Sequence, residues 1–168
     1  MRIEKHQHIQ KKSAYYLSKS SHSENVQPQP MDHFVFPVTR REKKIYLVAK
    51  NGLIHYVGIT RQSMRSRIRI GVKPDNKSGY HGYKWLKEDG DHCLIIWTFK
   101  NDTNVEAIEA EIVYFFRKQH GKWPQYQMEI HFHPSSENER LLANKILKES
   151  QKIVCNFTSS YQFLKNTK

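Results

Sequence analysis

Apolar and polar positions fall along the chain in blocks of distinct period. Residues 44–50 (KIYLVAK) and 53–60 (LIHYVGIT) are dense in β-branched and aromatic side chains, and Asn51-Gly52 between them is the strongest two-residue signal for a tight hairpin. They predict two antiparallel strands that bring Tyr46 near Tyr56. Ser63 to Ile70 (SMRSRIRI) predicts a short helix with Ser63 as its N-cap and Gly71 as its stop. Residues 71–82 read as a loop, YKWL (83–86) as the start of a small helix, and HCLIIWTF (92–99) as a strand apolar enough to be central. Asn104 then caps a helix that ends at Gly121, with Val105, Ile108, Ile112, Phe115 and Phe116 as its apolar stripe. At 100° per residue, Glu109 and Glu111 flank that stripe on opposite sides. MEIHFH (128–133) predicts a fourth strand. A polar helix over about 137–150 and a final apolar stretch, IVCNF to YQFL, close the chain.

The N-terminal fifth of the chain is different. Residues 1–30 are rich in Lys, Ser, His and Gln and end in VQPQP, which favours extended, solvated chain. Only Ile3, Ile9 and Tyr15-Tyr16-Leu17 interrupt it, and they suit a short helix at most. The expected organisation is therefore a basic, flexible arm over 1–33, a folded domain over 34–134, and a helical extension over 135–168 packed on that domain. The expected class is α/β (α+β), a small three- to four-stranded, mostly antiparallel sheet flanked by helices.

Charge narrows the partners. Lys and Arg number 28 against 16 acids, a net charge of +12 with neutral histidines. From Lys43 to Lys73 there are eight basic residues (Lys43, Lys44, Lys50, Arg61, Arg65, Arg67, Arg69 and Lys73) and no acid. A surface shaped only for solubility mixes signs, so this stretch points to a polyanion, with nucleic acid first. No apolar run approaches the roughly 18–20 residues of a membrane-spanning helix, and the N-terminus lacks an apolar stretch of signal-peptide length. Two cysteines, Cys93 and Cys155, are too few for a disulfide scaffold and suit a reducing compartment. The expected location is the cytoplasm, with no membrane partner.

Hairpin, arginine-rich helix, strand, then a helix flanked by glutamates is an ordered set, and with its motifs it resembles the GIY-YIG endonuclease family. Lys44-Ile45-Tyr46 stands where the first motif would be, and Tyr56-Val57-Gly58 matches the second, ten residues on from tyrosine to tyrosine. Gly58-x-Thr60 leads to Met64, Arg67 and Ile68, as in the family's run after its second motif. The resemblance covers about residues 43–120. It implies metal-dependent hydrolysis of DNA, expected to be double-stranded, with Tyr46 and Tyr56 activating or orienting water. Arg67 would stabilise the phosphate, and Glu111 would hold Mg²⁺ (or Mn²⁺), with Glu109 the alternative. Lys44 replaces the first glycine of the family motif. Gly71 stands where several members carry a histidine, a role His81, Lys73 or Lys84 would fill from elsewhere.

These residue types suit the chemistry. A guanidinium stays charged and grips two phosphate oxygens. Mg²⁺ keeps most of its waters and accepts one or two protein oxygens plus phosphate, so a single carboxylate suffices. A phenol with a pKa near 10 needs neighbouring positive charge to ionise at neutral pH, and the basic segment is expected to supply it. Lys44, Arg61, Arg65, Arg69, Lys73 and Lys84 are the expected phosphate contacts. Glu129 to His133 (EIHFH) is a second candidate for the wall of the cleft. The alternative of another class is a non-catalytic, basic nucleic-acid-binding module with a degenerate site. Recognition sequence, nicking against double-strand cleavage, and oligomeric state, a dimer included, stay open at this level.

Overall fold

The computed structural model describes residues 9–17, 34, 37–72, 83–88, 90–128 and 130–166. Four antiparallel strands, β1 (Ile9–Leu17), β2 (Lys43–Lys50), β3 (Leu53–Thr60) and β4 (His92–Phe99), form one sheet in the order β1-β4-β2-β3. The hairpin turns at Asn51 and Gly52, whose φ angles of 50° and 81° are the left-handed pair that a tight β-turn of this hand requires. Helix α1 (Met64–Val72) and a 3-10 turn at Lys84–Lys87 lie on one side of the sheet. Helices α2 (Val105–His120) and α3 (Glu137–Asn166) lie on the other.

Because both faces are covered, β2 is buried along nearly its whole length, and its alternate residues feed two cores. Ile45, Leu47 and Ala49 join Ile95, Trp97, Ile108, Ile112, Leu142 and Ile146 beneath the long helices. Tyr46 and Val48 join Leu94, Ile96, Met64, Ile68 and Trp85 beneath α1. Helix α2 starts as expected, with Asn104 Oδ1 accepting the Ala107 N–H at 3.2 Å, and stops at Gly121, left-handed at φ 71°. Among the described residues, no helix is long and apolar enough to cross a membrane.

Four expectations need correction. The fourth strand is β1, within the segment read as an arm and as a short helix at Tyr15 to Leu17. It pairs along β4 from Ile9 to Leu17, buries Tyr15, and exposes polar residues as an edge strand does. Residues 128 and 130–136 take no regular secondary structure, so MEIHFH is not a strand. Helix α1 runs through Gly71 to Val72. The C-terminal helix does not stop near residue 150: its inward stripe of Leu142, Ala143, Ile146, Leu147, Ser150 and Val154 is continuous. Ser150 fits that stripe because its hydroxyl accepts the buried Trp97 indole N–H at 3.1 Å.

Candidate functional site

The hairpin builds the centre of the site. Tyr46 pairs with Gly58 and Val48 with Tyr56, so the two tyrosines rise from the same face of adjacent strands, ring centroids 5.9 Å apart. Gly58 makes this possible. A Cβ there would lie 2.7 Å from Cζ and Oη of Tyr46 and 2.8 Å from Cε1 of Tyr56. The Tyr46 ring lies across β3 where any other residue would place a side chain.

Helix α1 presents three faces to three surroundings. Ser63 caps it by accepting the Ser66 N–H at 3.2 Å; Met64 and Ile68 seat it on the sheet; Arg65 and Arg69, four residues apart, are exposed. Arg67, on the flank, donates from Nε to the Tyr46 hydroxyl at 3.3 Å. A third tyrosine completes the cluster. The Tyr83 hydroxyl is 2.7 Å from that of Tyr46, its ring is 5.7 Å from that of Tyr56, and it stacks on Trp85 at 5.3 Å. The Arg67 guanidinium sits 5.5 Å from the Tyr83 ring centroid. Tyr46 accepts from Arg67; with Tyr83 donating as well, the Tyr46 proton is left for a further acceptor.

Burial raises the pKa of Tyr56, with Tyr46 adding to it and Arg67 opposing. Burial raises that of Tyr83 too, with Tyr46 and Tyr56 reinforcing. The expectation that basic neighbours ionise the tyrosines is therefore reversed for Tyr56: it is a phenol at neutral pH and donates a proton rather than removing one. For Arg67, burial works against the charge, but Tyr46 and Tyr83 outweigh it and raise its pKa, so the guanidinium is held charged.

The two glutamates of α2 have separate fates. Burial lifts the Glu109 carboxyl from the usual 4.5 to about 7, Glu106 adding to the rise and Arg67 opposing it; Glu109 in turn acts on Tyr56. Arg67 and Tyr56 thus lie within electrostatic reach of Glu109. Glu111, two residues on and about 200° around the helix, accepts the Ser135 hydroxyl and lies 3.8 Å from Arg140 Nε. Its carboxylate ties α2 to the start of α3. Glu111 is the expected partner of Arg67, with Glu109 the alternative; the structure shows Glu111 engaged by Ser135 and Arg140, and Arg67 acting on the Glu109 carboxyl. Among the described residues, no three His, Cys, Asp or Glu side chains gather as a metal cluster. A divalent ion here would rest on the Glu109 carboxylate, a donor set that suits Mg²⁺ with phosphate and water filling the rest.

The acid-free basic stretch divides in two. Lys44 is not a phosphate contact: it is wholly buried and its ammonium donates to the carbonyls of Arg40 (2.6 Å), Glu42 (2.8 Å) and Gln62 (3.1 Å). Burial lowers its pKa to about 8, Glu42 partly offsetting the fall. Lys43 donates to the Thr103 carbonyl at 2.6 Å, and Lys50 pairs with Glu88 at 3.1 Å. Arg61, Arg65, Arg69 and Lys84 are exposed. His81, Lys73 and Glu129 lie outside the described residues. Tyr83 escaped the sequence reading because, 37 residues from Tyr46, it shares no period or motif with it. Compared with protein-family models, with curated proteins and with solved structures, the chain matches none of them.

Proposed function

We propose that this chain is a divalent-metal-dependent endonuclease of the GIY-YIG type that hydrolyses phosphodiester bonds in double-stranded DNA. The observation that carries the reading is the hydrogen-bonded set of Arg67, Tyr46 and Tyr83, with the raised carboxyl of Glu109 within electrostatic reach of Arg67. A charged guanidinium fixed on a phenol, beside a carboxylate with a perturbed pKa, is a common signature of a reacting centre. Arg67 binds a phosphate oxygen and meets the charge that grows on it in the transition state. The Tyr46 and Tyr56 hydroxyls orient the attacking water by donating and accepting. Glu109 would hold Mg²⁺ or Mn²⁺, which supplies charge neutralisation and acidifies bound water. Arg61, Arg65, Arg69 and Lys84 extend the contact along the backbone of the duplex.

Incubation of the protein with supercoiled plasmid and Mg²⁺ or Mn²⁺, with and without chelator, tests this directly. The parent is expected to nick or linearise the plasmid, and Glu109→Gln to lose cleavage by about a hundredfold or more, the scale of losing a metal-held charge. Glu111→Gln is expected to cut within a fewfold of the parent. DNA affinity without metal should hold or rise in Glu109→Gln, because a negative charge facing phosphate is gone. A parent that binds DNA and cuts nothing with either metal would make the chain a binding module instead.

A further inference from the structure

Between α2 and α3 the chain is anchored at two points and shows apolar side chains between them. At the first anchor, residues 125–127 run along the free edge of β3. The Tyr126 N–H donates to the His55 carbonyl at 2.9 Å, and Gln127 Oε1 accepts the Val57 N–H at 3.1 Å. Tyr126 packs into the same cluster as Tyr46 and Tyr56. At the second anchor, Ser135 donates to Glu111 and is gripped by Arg140, and Ser136 with Glu139 forms a reciprocal cap at the start of α3. Ile130 packs inward against the core beneath the long helices, yet Met128 is 68% exposed and Phe132 72% exposed. The held loop thus turns a methionine and a phenylalanine to solvent, the phenylalanine ring 6.4 Å from that of Trp123.

The neighbourhood says what it contacts. From Ile112 to Ser136 the only acid is Glu129, against Arg117, Lys118 and Lys122 and three histidines. Arg117, Lys118, Lys122, His131 and His133 are exposed. Apolar tips in a positive field, on a loop whose Tyr126 packs into the tyrosine cluster, fit a polyanion that also offers flat apolar faces, which is nucleic acid. Side chains of this kind insert at base steps and unstack them, and exposed aromatic rings stack on unpaired bases.

Resting on the nuclease reading above, we infer that Met128 and Phe132 are a wedge that contacts an unstacked base step beside the phosphate held by Arg67, so that the preferred substrate is duplex interrupted by a bulge. A continuous duplex must be unstacked to receive the wedge; a bulged one offers the gap already open.

The test uses the full chain with chelator present, so that binding is read without cleavage. Short duplexes of the same sequence, continuous or carrying a two-nucleotide bulge, are titrated with the parent, Met128→Ala, Phe132→Ala and Phe132→Trp. The parent is expected to prefer the bulge by about five- to tenfold, in line with one or two stacked contacts. Both alanine variants should lose that preference and keep the affinity for continuous duplex, and Phe132→Trp should retain it. Unchanged melting temperatures show the variants folded, since both side chains are exposed. Equal binding of the two duplexes by the parent, or full preference in both alanine variants, overturns the wedge. So does a parent dimer that Phe132→Ala converts to monomer, because a second copy would then be the occupant. Plasmid cleavage by the parent is scored separately. Cleavage with no bulge preference leaves the nuclease reading standing and removes the wedge; a preference lost in the variants without any cleavage does the reverse.

Discussion

Two titratable side chains, Glu109 half-buried and His92 buried, pull the stability of this protein in opposite directions as pH changes. Folded Glu109 keeps its proton to about pH 7, where the unfolded chain has released it from about 4.5. Across that window the folded state binds more protons, so this group's share of stability falls as pH rises. Folded His92, its pKa lowered to about 4 by burial and then by Lys50, has shed its proton where the unfolded chain holds it up to 6.5. Its share rises with pH from about 4 to 6.5. Between 4.5 and 6.5 the two slopes oppose each other. Glu109→Gln is expected to unmask a gain of about 2 kcal/mol across that interval, and His92→Asn a loss of similar size. Urea unfolding at a series of pH values reads both; a Glu109→Gln profile parallel to the parent's would mean that the carboxyl is not held protonated. The same residue limits the enzyme reading: without metal Glu109 is about half protonated at neutral pH, so cleavage should climb with pH through this range as the carboxylate becomes available to the ion.

At the scale of elements, the hairpin and α1 are held in register by two contacts with no tolerance. The first is the close approach at Gly58. Gly58→Ala must displace the Tyr46 ring or part the strands, and an overpacked site of this kind costs about 1–3 kcal/mol. Cleavage should fall further than stability alone explains, because Tyr46 carries the bond to Arg67; unchanged melting and unchanged cleavage together would refute the crowding. The second is the Lys44 ammonium, whose three donors meet three carbonyls from before β2 and from the turn into α1. Lys44→Met leaves those carbonyls without a donor, at about 1–3 kcal/mol for each that water cannot reach. A drop of several degrees in melting temperature is expected, with the Arg67-bearing helix loosened first in hydrogen exchange.

These cases show how much was legible in the sequence. The hairpin, α1, β4 and α2 were readable because each rests on local chemistry: Asn-Gly at the turn, Ser63 and Asn104 at helix starts, Gly121 at a stop, and apolar periods of two or 3.6. Edge strand β1 was not, because a strand buried on one side among lysines and serines has almost no period to read. The reach of α3 past residue 150 was hidden by Ser150, a polar residue whose reason is a tryptophan 53 positions earlier. In the site, the tyrosine pair and Arg67 followed from the motifs. Whether Glu109 or Glu111 serves the site did not, since both flank the apolar stripe and periodicity alone treats the two flanks alike. Lys44 reads as surface charge until three carbonyls converge on it.

For the whole molecule, the net charge of +12 overstates the surface that nucleic acid can meet. With Lys43, Lys44 and Lys50 engaged internally, the α1 side offers Arg61, Arg65, Arg67, Arg69 and Lys84. About five neutralised phosphates give a log–log salt slope of about −4.5, steepening if Arg117, Lys118 and Lys122 also engage. Affinity measured across a salt series checks this, and a slope near zero would mean that the charge serves another partner.

The chain laid along β3 has one more consequence, for how copies of this protein meet. A sheet normally ends in a row of bare amides and carbonyls that can recruit another strand and seed fibres. Here one end is occupied: the His55 carbonyl and the Val57 amide are already bonded to Tyr126 and Gln127. The other end, β1, carries Lys11 and Lys12, the second paired with Glu149 at 2.7 Å and lying 5.2 Å from the Trp97 ring. Among the described residues, strand addition is hindered where Tyr126 and Gln127 sit on β3, and lysines on β1 disfavour it at the other edge. A second copy that approaches the covered part of β3 meets side chains rather than bare backbone.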